Sequence, residues 1–160
     1  MKNFKLNEKD ILSNQDWTFP TTTYYGPGRF NEIAKFCEEF DIKNPLIVTD
    51  SGSKDLPFIK RLIALLSKNN IKSDLFYNIS PNPRDDEISK GCDQFKNGSH
   101  DSIIAIGGGS AMDGGKSICL TVNSETPLWD FEFEQPVPKI TKENAFPKII
   151  TIPTLSLIHI

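Results

Sequence analysis

Cysteine is scarce and odd in number: Cys37, Cys92 and Cys119 lie far apart in a chain of 160 residues. That spacing excludes a disulfide framework and a zinc knuckle, and predicts reduced, mostly buried thiols. Histidine is scarcer still, with only His100 and His159. No block of Lys or Arg stands out, and the net charge of −3 comes from interspersed signs. Nucleic acid and anionic membrane are therefore poor partners, and a small molecule is the expected one. No run approaches the roughly 18 apolar residues of a spanning helix. The N-terminal stretch Met1-Lys-Asn-Phe-Lys-Leu-Asn-Glu8 has no signal-peptide core, so a cytoplasmic setting without a membrane partner is expected.

What is present alternates between buried strands and amphipathic helices. Gly28–Phe40 carries Phe30, Ile33, Ala34, Phe36, Cys37 and Phe40 at helical spacing, and Leu46–Thr49 follows as a short buried strand. Asp55–Leu66 repeats the helical period, Asn69-Asn70 stops it, and Ile71–Tyr77 alternates as a strand. After Ser80-Pro-Asn-Pro83, the residues Ile88, Cys92 and Phe95 mark a helix ending near Asn97-Gly98. Ser102–Ile106 reads as a strand, Ser110–Val122 as a helix and Lys148–Ile152 as a strand. Asn123–Pro147 is an excursion without clear period. Strands separated by helices imply crossover units, hence an α/β fold with a parallel sheet covered on both faces.

The chemistry concentrates in Ile106-Gly-Gly-Gly-Ser-Ala-Met-Asp-Gly-Gly-Lys-Ser117. A phosphate-gripping P-loop needs a glycine separated by four residues from Gly115-Lys116-Ser117, but that position holds Ser110. The common dinucleotide fingerprint places Met112 where its third glycine belongs, and no acid follows at a strand end about 20 residues on. Both motifs share one piece of physics that survives here. Glycines after a strand let a backbone approach a ligand, and the following helix presents its positive end to an anion. Ser110 is the expected N-cap, with Asp113 in the first turn and Lys116 beyond it on nearly the same face. Capping alone would account for Ser110 and Asp113. It leaves Gly114 and Gly115 unexplained, and two interior glycines suggest close approach by a ligand or another chain segment.

The run Gly107-Gly-Gly-Ser-Ala-Met-Asp-Gly-Gly-Lys116 resembles the GGGSxxDxxK signature of the iron-containing, group III alcohol dehydrogenases. Tyr25-Gly-Pro-Gly28, Val48-Thr-Asp50, Pro81-Asn-Pro83 and Ile150-Thr-Ile-Pro-Thr154 agree in order, so the resemblance runs from Phe19 to Thr154. It implies a Rossmann-like NAD-binding domain over residues 1–154. It implies an alcohol or aldehyde substrate, and in family members a helical domain beyond it that carries iron or another divalent metal. By position, Gly108, Gly109 and Ser110 would hold the pyrophosphate, Asp113 would lie on the nicotinamide side, and Asn82 would touch the adenosine part. Thr154 matches the first Thr of the family's Pro-Thr-Thr segment, another cofactor contact. Homodimerisation follows from the resemblance alone.

Asp50 has a physical argument of its own. At a parallel strand's carboxyl end, a carboxylate accepts bonds from ribose hydroxyls and repels a 2′-phosphate, which favours NAD over NADP. Its rival role is to build the Asp50-Ser-Gly-Ser53 turn or cap the next helix. Asn82 has a rival role as a plain loop residue.

Residues 155–160, Leu-Ser-Leu-Ile-His-Ile, depart from the family pattern. The family's metal ligands, an Asp and three His, match nothing up to Thr154. His100 is expected on a surface loop. The metal domain is thus expected to be missing, leaving two readings: the cofactor portion of an alcohol dehydrogenase, or a nucleotide-binding module without turnover. A glycerol-phosphate dehydrogenase or dehydroquinate synthase relative is the further alternative.

Overall fold

The computed structural model describes residues 21–132, 134, 136 and 145–154. Ahead of the first strand, a 3₁₀ turn at Arg29–Glu32 leads into α1 (Ile33–Glu39). The chain continues through β1 (Pro45–Asp50), α2 (Pro57–Lys68), β2 (Asp74–Ile79), α3 (Asp85–Asn97), β3 (Ser102–Gly107), α4 (Gly109–Thr121) and β4 (Lys148–Pro153). The four strands are all parallel in the order β2-β1-β3-β4. The α/β class and the parallel sheet flanked by helices are as the alternating pattern requires.

Strand pleating divides the core in two. Leu46, Val48, Ile103 and Ala105 face α3 and α4 and pack with Phe76, Ile88, Phe95 and Ile118. Ile47, Ile104 and Ile106 face the other way and pack with Ile33, Cys37, Ile59, Leu62 and Leu66 of α1 and α2. The central strand β3 is buried throughout, β1 nearly so, and the edge strands β2 and β4 are not. Crossovers to the left and right of β1 use opposite faces, as right-handed connections demand. The sheet therefore switches direction between β1 and β3, where open α/β sheets form a crevice at their carboxyl edge.

Helix ends explain where the observed elements differ from the expected ones. At the end of α2, Ile71 N–H donates to the Leu66 carbonyl and Asn70 N–H to that of Ser67, with Asn70 at φ 58. This is a Schellman closure, so Ile71 packs back toward the core and β2 begins only at Asp74. The α1 end repeats it with Asp41 at φ 48 and Ile42 N–H on the Cys37 carbonyl.

The α3 end does so with Ser99 at φ 50 and His100 N–H on the Phe95 carbonyl. His100 is consequently not on the surface. It is 7 % exposed, its ring lies 5.9 Å from that of Phe95, and Nδ1–H donates to the Asn44 carbonyl at 3.0 Å. Within the 123–147 excursion a 3₁₀ turn forms at Leu128–Phe131. Residues 1–20 of the expected domain and the 155–160 tail lie outside the described residues.

Cys37 and Cys119 are buried and all three cysteines are free thiols. Burial pushes both buried thiols up to about 11, with the Asp101 carboxylate adding to the effect at Cys37. Among the described residues no helix is long and apolar enough to cross a membrane.

Candidate functional site

Because the strands are parallel, their carboxyl ends share one edge, and the sequence-nominated residues gather along it. Asp50 ends β1, Asn82 follows β2 by three residues, Gly107 ends β3, and Thr154 follows β4 directly. Gly107 adopts φ +146, a conformation L side chains rarely take. A Cβ there would lie 2.7 Å from Ala111 Cβ and 3.1 Å from Asp50 Oδ2. Gly107 thus turns β3 into α4 in a space too tight for any other residue.

The helix start differs from expectation. Gly108, in extended conformation, is the N-cap, Gly109 is the first helical residue, and Ser110 is the second. Asp113 lies a turn further in, exposed, and the first turn contains no acid. The reason is that Gly107 completes the chain reversal by itself, so the N-cap falls two residues earlier than expected. No described side chain caps α4, and its first backbone bond runs from Met112 N–H to the Gly108 carbonyl at 3.1 Å. The preceding N–H groups have no side chain of the described residues bonded to them, an arrangement suited to an anion.

Gly114 and Gly115 are buried one turn on, and their smallness serves packing rather than a ligand. A Cβ on Gly115 would sit 2.5 Å from Ala105 Cβ on β3, and one on Gly114 would sit 2.8 Å from Ile79 Cδ1 on β2. They let α4 lie close against the sheet and set its N-terminus over the carboxyl edge.

Asp50 is half-buried, and its carboxylate is fixed by its own turn. Oδ1 accepts from Gly52 N–H at 3.0 Å and Oδ2 from the Ser53 hydroxyl at 2.8 Å. The turn-building role is thus real. Each oxygen retains a further lone pair, and the group stands beside Gly107, next to the helix start. Thr49, one residue earlier, was not singled out by its sequence; its buried hydroxyl donates to the Ile106 carbonyl at 2.7 Å and joins β1 to β3 just below the turn.

On the far side, Thr154 N–H donates to the Gly107 carbonyl at 2.9 Å. Asn82 lies farther out. It is exposed at φ 61, in a loop held by Glu87, whose carboxylate accepts from Ser80 N–H (3.2 Å), the Ser80 hydroxyl (3.1 Å) and Arg84 N–H (3.1 Å). Burial pushes the Glu87 carboxyl up, but these donors and the Arg84 guanidinium outweigh it and leave it below its ordinary value. The structure brings Asp50, Gly108–Ser110 and Thr154 together around Gly107, and leaves Asn82 and Asp113 on the flanks. A groove of 590 Å³ on the α1/α2 side of the same edge is lined by Phe30, Pro57, Phe58, Arg61, Ile152 and Thr154. Among the described residues no three His, Cys, Asp or Glu side chains cluster as metal ligands would.

Comparison with known proteins yields a consistent set. The model of the iron-containing alcohol dehydrogenase family matches residues 20–156. Alcohol dehydrogenase 4 of Schizosaccharomyces pombe is 34 % identical over 113 residues, covering 71 % of this chain and 27 % of its own length. NADH-dependent butanol dehydrogenase A of Clostridium acetobutylicum is 32 % identical over 138 residues, covering 86 % and 35 %. Among solved structures, a 1,3-propanediol oxidoreductase superposes with a TM-score of 0.76 at 26 % identity, covering 87 % of this chain and 35 % of that one. A sulfoacetaldehyde reductase from Bifidobacterium kashiwanohense in complex with NAD+ gives 0.73 at 26 % identity, covering 89 % and 36 %. The chain spans about a third of the length of these relatives.

Proposed function

The chain belongs to the iron-containing alcohol dehydrogenase family, and from that membership we propose that residues 21–154 are the NAD-binding portion of an alcohol dehydrogenase. The observation that carries the reading is the uncapped start of α4 beside the left-handed Gly107 at the switch point of the sheet. Gly108, Gly109 and Ser110 hold the pyrophosphate through backbone N–H groups and the positive end of the helix. Asp50, already oriented by Gly52 and Ser53, accepts from the hydroxyls of the adenosine ribose and selects against a 2′-phosphate. Thr154 closes the turn from the β4 side, Asn82 meets the adenosine part, and Asp113 flanks the nicotinamide. The bound nicotinamide supplies the hydride acceptor for oxidation of an alcohol to an aldehyde.

The described residues do not fit the family's metal: no cluster of three or more ligating side chains exists among them. A second reading is that this portion by itself binds nucleotide without turnover. The free, buried thiols agree with a reducing, cytoplasmic setting. A pairing of two copies is inferred only from the family.

Calorimetric titration with NADH and NADPH tests the assignment. NADH is expected to bind more tightly, and Asp50→Gly to narrow the difference. Equal affinities in the unaltered chain would overturn the role of Asp50, and no binding of either would overturn the reading as a whole.

A further inference from the structure

The loops that lead into the parallel strands share the edge opposite the glycine turn, so Asn44 before β1, Asp74 at the start of β2 and His100 before β3 meet there. Asn44 is fixed from two sides. Its N–H donates to Asp101 Oδ2 at 3.1 Å, and its side-chain amide donates to the carbonyls of Gly98 and Ser99 at 3.0 and 3.1 Å. The Asn44 carbonyl can only accept, so the neutral imidazole bonded to it at 3.0 Å carries its hydrogen on Nδ1 and presents a lone pair at Nε2. That side chain is fully buried, and no described group hydrogen-bonds to Nε2. Asp74 Oδ2 stands 3.4 Å away. Two acceptors thus face one another, an arrangement that calls for a cation between them.

We propose that His100 Nε2 and the Asp74 carboxylate bind a divalent transition-metal ion of the zinc type. Imidazole and carboxylate are ordinary zinc ligands, and two ligand atoms on one tetrahedral ion lie about 3.3 Å apart at bond lengths near 2.0 Å. The pair therefore needs little movement to share an ion. An Nδ1–H held by a backbone carbonyl is the support that metal-bound imidazoles ordinarily have.

Gly98 and Asp74, which flank Nε2, both line an open groove of 520 Å³ together with Asn44, Ser67, Lys72 and Ser73. Gly98 has a right-handed helical backbone that needs no glycine, yet a Cβ there would strike Nε2. Glycine keeps that edge of the ring clear. The Asp74 side chain is 62 % exposed, so its carboxylate can swing to admit an ion from the groove, and water fills the remaining positions. Such an ion joins the start of β2 to the loop before β3 and stabilises the folded chain by mass action. This site is independent of the cofactor reading.

Calorimetric titration with Zn²⁺ of the unaltered chain, Asp74→Asn, His100→Gln and His159→Gln tests the proposal. One ion per chain is expected, with affinity lowered about tenfold or more by Asp74→Asn and by His100→Gln and unchanged by His159→Gln. Should His100→Gln unfold the buried site, Asp74→Asn decides, because that residue is exposed. Zn²⁺ should also shift the ring resonances of His100 in the unaltered chain. Absence of Zn²⁺ binding, binding undiminished by Asp74→Asn, binding lost with His159→Gln, or an undisturbed His100 ring would each overturn the site.

Discussion

Thr154 N–H donates to the carbonyl of Gly107 at 2.9 Å, so the residue after β4 is tied to the residue that ends β3. Two loops 47 positions apart in sequence become one surface through this bond, with Asp50 as its third side. The tightness of the junction makes its first consequence measurable.

Gly107→Ala forces a side chain into φ +146 and into contact with Ala111 and Asp50. We expect a loss of about 2 kcal/mol in stability from strain and overpacking, read by urea unfolding. NADH affinity should fall as well, because the start of α4 must shift to relieve the clash.

Helix packing predicts an order between two neighbouring glycines. Gly115→Ala meets Ala105 Cβ at 2.5 Å, which is fixed to the backbone of the buried β3, whereas Gly114→Ala meets Ile79 first at its terminal Cδ1, at 2.8 Å. Gly115→Ala should therefore destabilise by about 1–3 kcal/mol, and Gly114→Ala by less, with gains in helix propensity offsetting part of each. Thermal unfolding of the two variants checks the ranking.

The Glu87 carboxyl gives a pH signature. Its folded value lies below the ordinary 4.5, so the stability it contributes is present above that value and is lost as pH falls through the lower, folded one. Urea unfolding between neutral and acid pH should show this loss, and Glu87→Gln should remove its part of it. The same substitution should cost about 1–3 kcal/mol at neutral pH, since the donors of Ser80 and Arg84 lose a buried acceptor charge.

Thiol chemistry follows from burial. With values pushed up to about 11, Cys37 and Cys119 remain protonated near pH 8 and should resist alkylation in the folded chain. In denaturant all three cysteines should react. Rapid modification of the native chain at Cys37 or Cys119 would contradict their placement in the core.

The apolar periods of Ile103–Ile106, Leu46–Val48 and Ile59–Leu66 make the parallel α/β arrangement legible, because both faces of a central strand must be apolar. The glycine run after β3 likewise marks the carboxyl edge of the sheet, where the ligand site is proposed. Three features were not legible. Non-glycine residues close the helices at Asp41, Asn70 and Ser99, which consumes Ile71 and buries His100 as part of a cap. Gly107 takes the whole turn, which moves the cap from Ser110 to Gly108. The groove joins Phe30, Phe58 and Thr154 from distant parts of the chain, and no local spacing encodes it.

In the proposed function, Gly108, Gly109 and Ser110 cradle the pyrophosphate of NADH. Following backbone amide resonances of the isotope-labelled chain during titration with NADH tests it most directly. The account predicts that the largest shifts fall on Gly108–Ala111, with Asp50 and Thr154 next; saturable shifts confined to the opposite, amino-terminal edge of the sheet around Asn44 and Asp74 would contradict it.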